Sequence, residues 1–290
     1  MTLDPIRTVA VLGAGTMGNG IAHVFARSGY HVILRDVDAR VLDAAMETIA
    51  KNLDREIRKG KFAEFAKAEI LERVHATTSM AEIARADLAI EAVPERLDLK
   101  LSVLQEADKL LRPEAILASN TSSISITTLA AATSRPDRIV GMHFMNPVPV
   151  MALVEVIRAL QTSDTTFHTT MALCARLEKK PVAVNDAPGF VSNRVLMPMI
   201  NEAAFAVMEG VATAEAVDAI LKLGMNHPMG PLELADFIGL DVCVNILDVL
   251  HTGFGDSKYR ACPLLRQMVA AGWLGRKAGR GFYKYEGQGG

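Results

Sequence analysis

Apolar residues in the first half of the chain come in short runs separated by longer amphipathic stretches. Residues 6–12 form an apolar run ending in glycine, which predicts a buried strand. Helical spacing follows over 16–28 and stops at Gly29. Residues 31–34 predict a second strand, closed by Arg35-Asp36, and a long helical pattern runs from about 39 to 59 with Gly60 as its stop. Further strands are expected at 88–93, 115–119 and 138–143, separated by helical segments such as 97–111. Residues 153–157 and 181–184 predict two last strands around a helix near 165–177. Alternation of this kind implies a mostly parallel sheet with helices on both faces.

The pattern changes after about Asp186. One long buried helix is expected over 188–208, another over 214–223, one opened by Pro231 and running to about 250, and one over 263–271. No strand alternation is visible from 186 to 270. The chain therefore divides into an α/β domain, 1–185, and an all-helical domain, 186–290. The stretch 195–249 holds more apolar residues than a small domain buries alone, which points to a partner surface.

Composition narrows the class. The chain has 290 residues, half of them hydrophobic and 22% charged, as in a globular protein with a sizeable core. Lys plus Arg is 31 and Asp plus Glu is 33, a net charge of −2, which argues against a nucleic-acid partner. No uncharged apolar run approaches the ~20 residues of a membrane span. The start, Met1-Thr2-Leu3-Asp4-Pro5, shows no secretory signal, which suggests a cytoplasmic chain, although a matured mitochondrial matrix chain would look the same. Cys174, Cys243 and Cys262 stand far apart, so neither a disulfide framework nor a zinc site is expected.

Gly13-Ala14-Gly15-Thr16-Met17-Gly18 is a GxGxxG sequence between a predicted strand and a predicted helix. The glycines allow a tight turn, close backbone approach to a pyrophosphate, and close helix–strand packing. The free N–H groups of Thr16, Met17 and their neighbours at the helix start would face the phosphates. Asp36 ends the second strand, where a carboxylate can bind the ribose 2′-OH of NAD and repel a 2′-phosphate. Arg35 beside it leaves room for NADP. Together these features predict a doubly wound, Rossmann-type nucleotide-binding domain.

Ser119-Asn120-Thr121-Ser122-Ser123 and Met142-His143-Phe144-Met145-Asn146-Pro147 each follow an apolar run, so each sits at the carboxyl end of a strand, where open α/β sheets bind ligands. His143, bracketed by apolar residues, is either a hydrogen-bonded core residue or a catalyst. Glu155 lies inside Leu153-Val154-Glu155-Val156-Ile157 and needs a partner there: an Arg, a backbone N–H, or His143 itself. Asn193, in an apolar helix, must also find partners. Lys51, Arg55, Arg58 and Lys59 share one helical face, diluted by Asp54 and Glu56; that stripe is either a solvated face or an anchor for an anionic ligand tail.

Taken together, these motifs, with Pro188-Gly189-Phe190, Asn226-His227-Pro228-Met229-Gly230-Pro231 and Gly275-Arg276-Lys277-Ala278-Gly279-Arg280-Gly281-Phe282-Tyr283, mean that the chain resembles the short-chain 3-hydroxyacyl-CoA dehydrogenases, most nearly their bacterial 3-hydroxybutyryl-CoA branch, over essentially its full length. The resemblance implies reversible hydride transfer between NAD and a short 3-hydroxyacyl-CoA. It implies a catalytic His143–Glu155 pair, with Ser122 and Asn193 on the substrate. NAD contacts are implied at Asp36, Glu95, Lys100, Ser122, Asn146 and Lys277, and coenzyme A contacts at Lys59, Arg55 and Lys51. It further implies a homodimer through a helical domain that closes over the substrate, and no metal. Two rivals remain at this level: a related hydroxyacid dehydrogenase with a Lys base, and a non-catalytic protein on the same scaffold. Asn193-Arg194 weighs against the first and the intact polar set against the second.

Overall fold

A computed structural model of the chain describes residues 6–285. The amino-terminal stretch read for a leader and the glycine-rich tail at 287–290 lie outside the described residues. The chain forms two compact units, Met1–Ala187 and Pro188–Gly290.

The first unit is built on an eight-stranded sheet in the order β3-β2-β1-β4-β5-β6-β7-β8. The strands are β1 Thr8–Leu12, β2 His31–Arg35, β3 Val74–Thr77, β4 Leu88–Glu91, β5 Ile116–Ser119, β6 Ile139–Phe144, β7 Leu153–Arg158 and β8 Lys180–Asn185. Every neighbouring pair is parallel except β6 with β7. Its helices are α1 Thr16–Arg27, α2 Ala39–Arg58, α3 Ala66–Glu72, α4 Leu97–Leu110, α5 Ile126–Ala131 and α6 Asp164–Arg176. The order reverses between β1 and β4, which is where a doubly wound sheet opens its ligand crevice. Ile21 and Phe25 of α1 and Ile49 and Leu53 of α2 are almost wholly buried, each contributing on the order of 1.5–3 kcal/mol.

Alternation along β6 and β7 sorts their side chains by face. Val140, Met142 and Phe144, with Val154 and Val156, join the core cluster that holds Phe25 of α1 and Leu173 of α6. The residues between them, His143 and Glu155 included, therefore point to the opposite face. Gly141 is on that face too, and a Cβ there would stand 2.7 Å from Ile157 Cβ and 3.0 Å from Ile126 Cγ1 of α5.

The second unit is helical: α7 Ser192–Met208, α8 Ala214–Gly224, α9 Pro231–Ile238, α10 Leu240–Phe254 and α11 Pro263–Ala270. Met197, Ile200, Leu232, Leu247 and Leu265 lie in its core. Buried Asp218 accepts from Leu232 N and Glu233 N, both at 2.8 Å, and so caps the start of α9 from α8. Buried Asp236 accepts from Phe282 N and Tyr283 N at 3.0 Å and pins the chain's last described turn.

Several expectations change. The helix expected over 188–208 begins only at Ser192, because Gly189 (φ 71°) and Phe190 (φ 52°) form a left-handed turn. The helix expected over 231–250 is two, divided at Gly239 with φ 105°. β3, α3 and α5 have no counterpart in the hydrophobic pattern. The compact units divide at 187/188, two residues later than the break placed after 185, because Asp186 accepts from Ser125 Oγ, Ile126 N and Thr127 N and so caps α5.

Candidate active site

The Gly-rich loop joins β1 to α1. Gly13 takes φ 104°, and a Cβ there would lie 2.7 Å from Ala92 O of the neighbouring strand's exit. A Cβ at Gly18 would lie 1.7 Å from Gly13 O, so only glycine lets the helix start this close to the turn. At Gly15 a Cβ would meet nothing within 4 Å, leaving the space a pyrophosphate requires. Asp36 stands just past β2, and its Oδ2 accepts from Ala14 N at 2.7 Å, fixing the carboxylate against the loop. Beside it lies a cleft of about 440 Å³ lined by Gly15, Thr16, Asn19, Asp38, Arg40 and Thr48 among others. These residues fit a dinucleotide: a cradle without side chains, a helix start and an acid.

A polar chain, buried at Glu91 and Lys100 and open to solvent at Glu95, runs from β4 to the β5 exit. Glu91, fully buried, accepts from Ser119 Oγ (2.5 Å), Val93 N (2.7 Å) and Lys100 Nζ (2.8 Å). Lys100 is 1% exposed and also donates to Val93 O (3.1 Å) and to Glu95 Oε2 (3.1 Å). Glu95 Oε1 in turn accepts from Thr121 Oγ1, from Ser122 N at 2.9 Å and from Ser123 N at 3.1 Å. Burial raises the Glu91 carboxyl above its ordinary value despite the Lys100 charge. At Glu95 partial burial works in the same direction, but the Lys100 charge and the Thr121, Lys100 and Ser122 hydrogen bonds outweigh it and lower the carboxyl. Lys100, an expected cofactor contact, has its ammonium engaged with three protein acceptors: Glu91, Val93 O and Glu95.

His143 and Glu155 are directly opposite in the antiparallel β6–β7 register. His143 Nδ1 lies 2.8 Å from Glu155 Oε2, with His143 8% and Glu155 2% exposed. A carboxylate on Nδ1 favours the tautomer with the proton there and leaves Nε2 as the basic nitrogen. Asn120 Oδ1 accepts from Phe144 N at 2.9 Å, tying the Ser119–Ser123 turn to the strand that carries His143.

The remaining expected residues fall elsewhere. Asn146 is exposed in the β6–β7 connection. Asn193 is buried in α7 of the second unit, and Lys277 of that unit pairs with Asp241 at 2.6 Å. On α2, Lys51 and Arg55 are exposed and lean on Glu47 (3.4 Å) and Asn52 (3.2 Å), while Lys59 caps the helix end. Glu56 does not dilute this stripe. It is buried on the other side of α2, against His23 (3.2 Å) and Arg27 (2.6 Å). Among the described residues no group of three His, Cys, Asp or Glu is placed to hold a metal, and no helix is long and apolar enough to cross a membrane.

Two contributors are not singled out by the sequence: Glu91 and Lys179. Glu91 ends an apolar strand just as Glu155 interrupts one, a signal that a buried partner is required. Lys100 shares helical spacing with buried Val103, Leu104 and Ala107, which marks it as inward-facing. Lys179 donates to Val148 O (2.5 Å) and Met151 O (2.7 Å) and so anchors the β6–β7 connection. Nothing in its local sequence announces that.

Residues 8–187 match the 3-hydroxyacyl-CoA dehydrogenase NAD-binding domain and residues 189–285 the 3-hydroxyacyl-CoA dehydrogenase C-terminal domain. A 3-hydroxybutyryl-CoA dehydrogenase of Bradyrhizobium diazoefficiens is 54% identical, over 97% of this chain and 96% of that one. One from Clostridioides difficile is 50% identical, over 96% and 99%. The crystal structure of (S)-3-hydroxybutyryl-CoA dehydrogenase from Ralstonia eutropha superposes with a TM-score of 0.95 at 53% identity, covering 98% of this chain and all of that one.

Proposed function

Because the chain belongs to the 3-hydroxyacyl-CoA dehydrogenase family, we infer that it is an NAD-dependent oxidoreductase that moves a hydride reversibly between 3-hydroxybutyryl-CoA and acetoacetyl-CoA. The observation that carries the catalytic reading is the 2.8 Å contact between His143 Nδ1 and Glu155 Oε2 on one sheet face. NAD, when bound, supplies the acceptor or donor of the hydride.

In the oxidative direction His143 Nε2 takes the proton of the 3-hydroxyl as the C3–H bond breaks. General base catalysis of this kind contributes about 10²–10⁴-fold. Glu155 holds the ring in the required tautomer and stabilises the imidazolium as it forms. In the reductive direction the same imidazolium returns the proton to the 3-oxo oxygen. Ser122 hydrogen-bonds the substrate oxygen through its hydroxyl from a turn held by Glu95, and Asn193 serves as a second donor through its side-chain amide. Glu95, Asn146 and Lys277 join Asp36 and the Gly-rich loop as cofactor contacts, with Lys100 acting through Glu95. Lys59, with Arg55 and Lys51, attracts the phosphates of the coenzyme A tail. The helical unit provides the surface for a homodimer, supported by exposed Ile220, Leu223 and Met225 near the end of α8. The bacterial relatives favour a cytoplasmic setting.

The deciding experiment is acetoacetyl-CoA-dependent oxidation of NADH, followed by absorbance, for wild type and His143→Gln with NADH affinity measured alongside. Turnover should fall at least a hundredfold while NADH still binds, a loss of the size removal of a general base produces (about 10²–10⁴-fold). Near-wild-type turnover in the variant would remove His143 from the mechanism. The same assay with free acetoacetate tests whether the coenzyme A tail is needed.

A further inference from the structure

The cleft beside the Gly-rich loop contains one arrangement that the hydride-transfer reading leaves unused. Asp38 follows Asp36 by two residues, caps α2 by accepting from Arg40 N at 2.9 Å, and lines the cleft together with Arg40. Arg40 turns its guanidinium back onto the same carboxylate, with Nε 3.2 Å from Oδ1 and Nη2 2.8 Å from Oδ2. Asp38 thus occupies the two-pronged face that an arginine would offer to a phosphate. We propose that Asp38 is a second determinant of cofactor choice: by engaging Arg40 it withholds from a ribose 2′-phosphate the cation best placed to receive it.

Position supports this. The acid ending the second strand of a doubly wound fold marks the ribose 2′-oxygen, and a nearby arginine is what accommodates a 2′-phosphate. Asp38 N lies 3.2 Å from Asp36 Oδ1, so the Asp38–Arg40 pair begins where that oxygen is expected. Arg35, the cation adjacent in sequence, does not line the cleft, and its Nε is buried without a hydrogen-bond partner. Arg40 does line the cleft, and its side chain is 91% exposed, free to swing once released. The side-chain and backbone hydrogen bonds from Arg40 hold the Asp38 carboxyl below its ordinary value, so Asp38 is ionised at neutral pH. A 2′-phosphate carrying nearly two charges would then meet Asp36, Asp38 and an arginine already engaged.

Asp38→Asn removes the charge and keeps an oxygen for the α2 cap, since Asn and Asp cap about equally well. One unit charge about 6 Å from a doubly charged phosphate in water changes its binding by about tenfold.

The inference rests on the nucleotide-binding reading of the Gly-rich loop and not on His143. Its test is a double-mutant cycle of Asp38→Asn and Arg40→Ala, with Asp38→Ser as a second cap-preserving change and melting temperatures checked throughout. Calorimetry gives the affinities for ADP-ribose and 2′-phospho-ADP-ribose, and kinetics gives the ratio of kcat/KM for NADPH to that for NADH. Asp38→Asn should raise both preferences for the 2′-phosphorylated ligand by about tenfold. Arg40→Ala should cost more of that preference in the Asp38→Asn background than in the wild type. An unchanged ratio in Asp38→Asn and Asp38→Ser, or an equal effect of Arg40→Ala in both backgrounds, overturns the proposal. If wild type fails to bind ADP-ribose at all, the nucleotide reading falls first and takes this one with it.

Discussion

Replacing Lys100 by methionine tests the polar chain behind the Ser119–Ser123 turn most severely. The substitution keeps the apolar stem that packs in α4 and deletes the ammonium that joins Glu91 (2.8 Å) to Glu95 (3.1 Å). Glu91 is fully buried and keeps only Ser119 Oγ and Val93 N as donors. Breaking a buried pair by removing one partner costs about 3–5 kcal/mol. For a chain of this size that corresponds to a melting temperature lower by roughly 5–8 °C. The loss has a pH signature. Burial already places the Glu91 carboxyl above its ordinary value of 4.5, and losing Lys100 moves it further up. A carboxyl raised in the folded state contributes stability that is present below its unfolded value and lost as pH rises through its folded value. The deficit of the variant should therefore be smaller at pH 5 than at pH 8 in matched thermal melts. An unchanged melting temperature at pH 8, or a deficit that grows on acidification, would refute a paired, charged Lys100.

Other changes read different parts of the site. Glu155→Gln keeps a hydrogen-bonding group opposite His143 but removes the charge; losing a charge-assisted bond of about 1.5–3 kcal/mol should lower kcat by roughly 10- to 100-fold with NADH affinity nearly constant. A lowered melting temperature with unaltered kcat would make Glu155 purely structural. Burial, together with Arg27 and Lys61, depresses the Lys179 ammonium to about 8. Its contribution to stability is thus present above its unfolded value of 10.5 and lost as pH falls through about 8, so the melting temperature of wild type relative to Lys179→Met should climb between about pH 8 and 10.5. A difference that stays flat or declines would show that Lys179 is not depressed. Lys59→Ala should raise KM for acetoacetyl-CoA severalfold at low salt and leave KM for NADH alone; equal shifts in both would contradict a coenzyme A role.

The legible and illegible parts of the molecule divide by the range of the interaction concerned. The nucleotide loop could be read directly because its demands are local: φ 104° at Gly13 and the missing Cβ at Gly18 are properties of a few adjacent residues. Glu155 could be suspected, since a carboxylate amid valines needs company, but its partner depends on β6 and β7 running antiparallel. The hydrophobic pattern does not encode strand direction. β3 leaves no mark in the hydrophobic pattern because His75 and Ala76 are exposed and the strand is only four residues long. Gly239 lies inside an apolar run that suits a helix equally well on both sides, so the pattern does not show the break. Glu56 reads as a diluent of the basic stripe because sequence shows charge without showing facing. His23 and Arg27, which draw it inward, lie on another helix.

The single reversal of direction in the sheet has a consequence for tolerance to insertion and deletion. Because the imidazole and its acid are rungs of the same ladder, their spacing is indifferent to how many residues the intervening crossing contains. Lengthening that crossing should leave the dyad intact, whereas dropping a single residue from either strand would turn one of the two groups through the sheet to the wrong side.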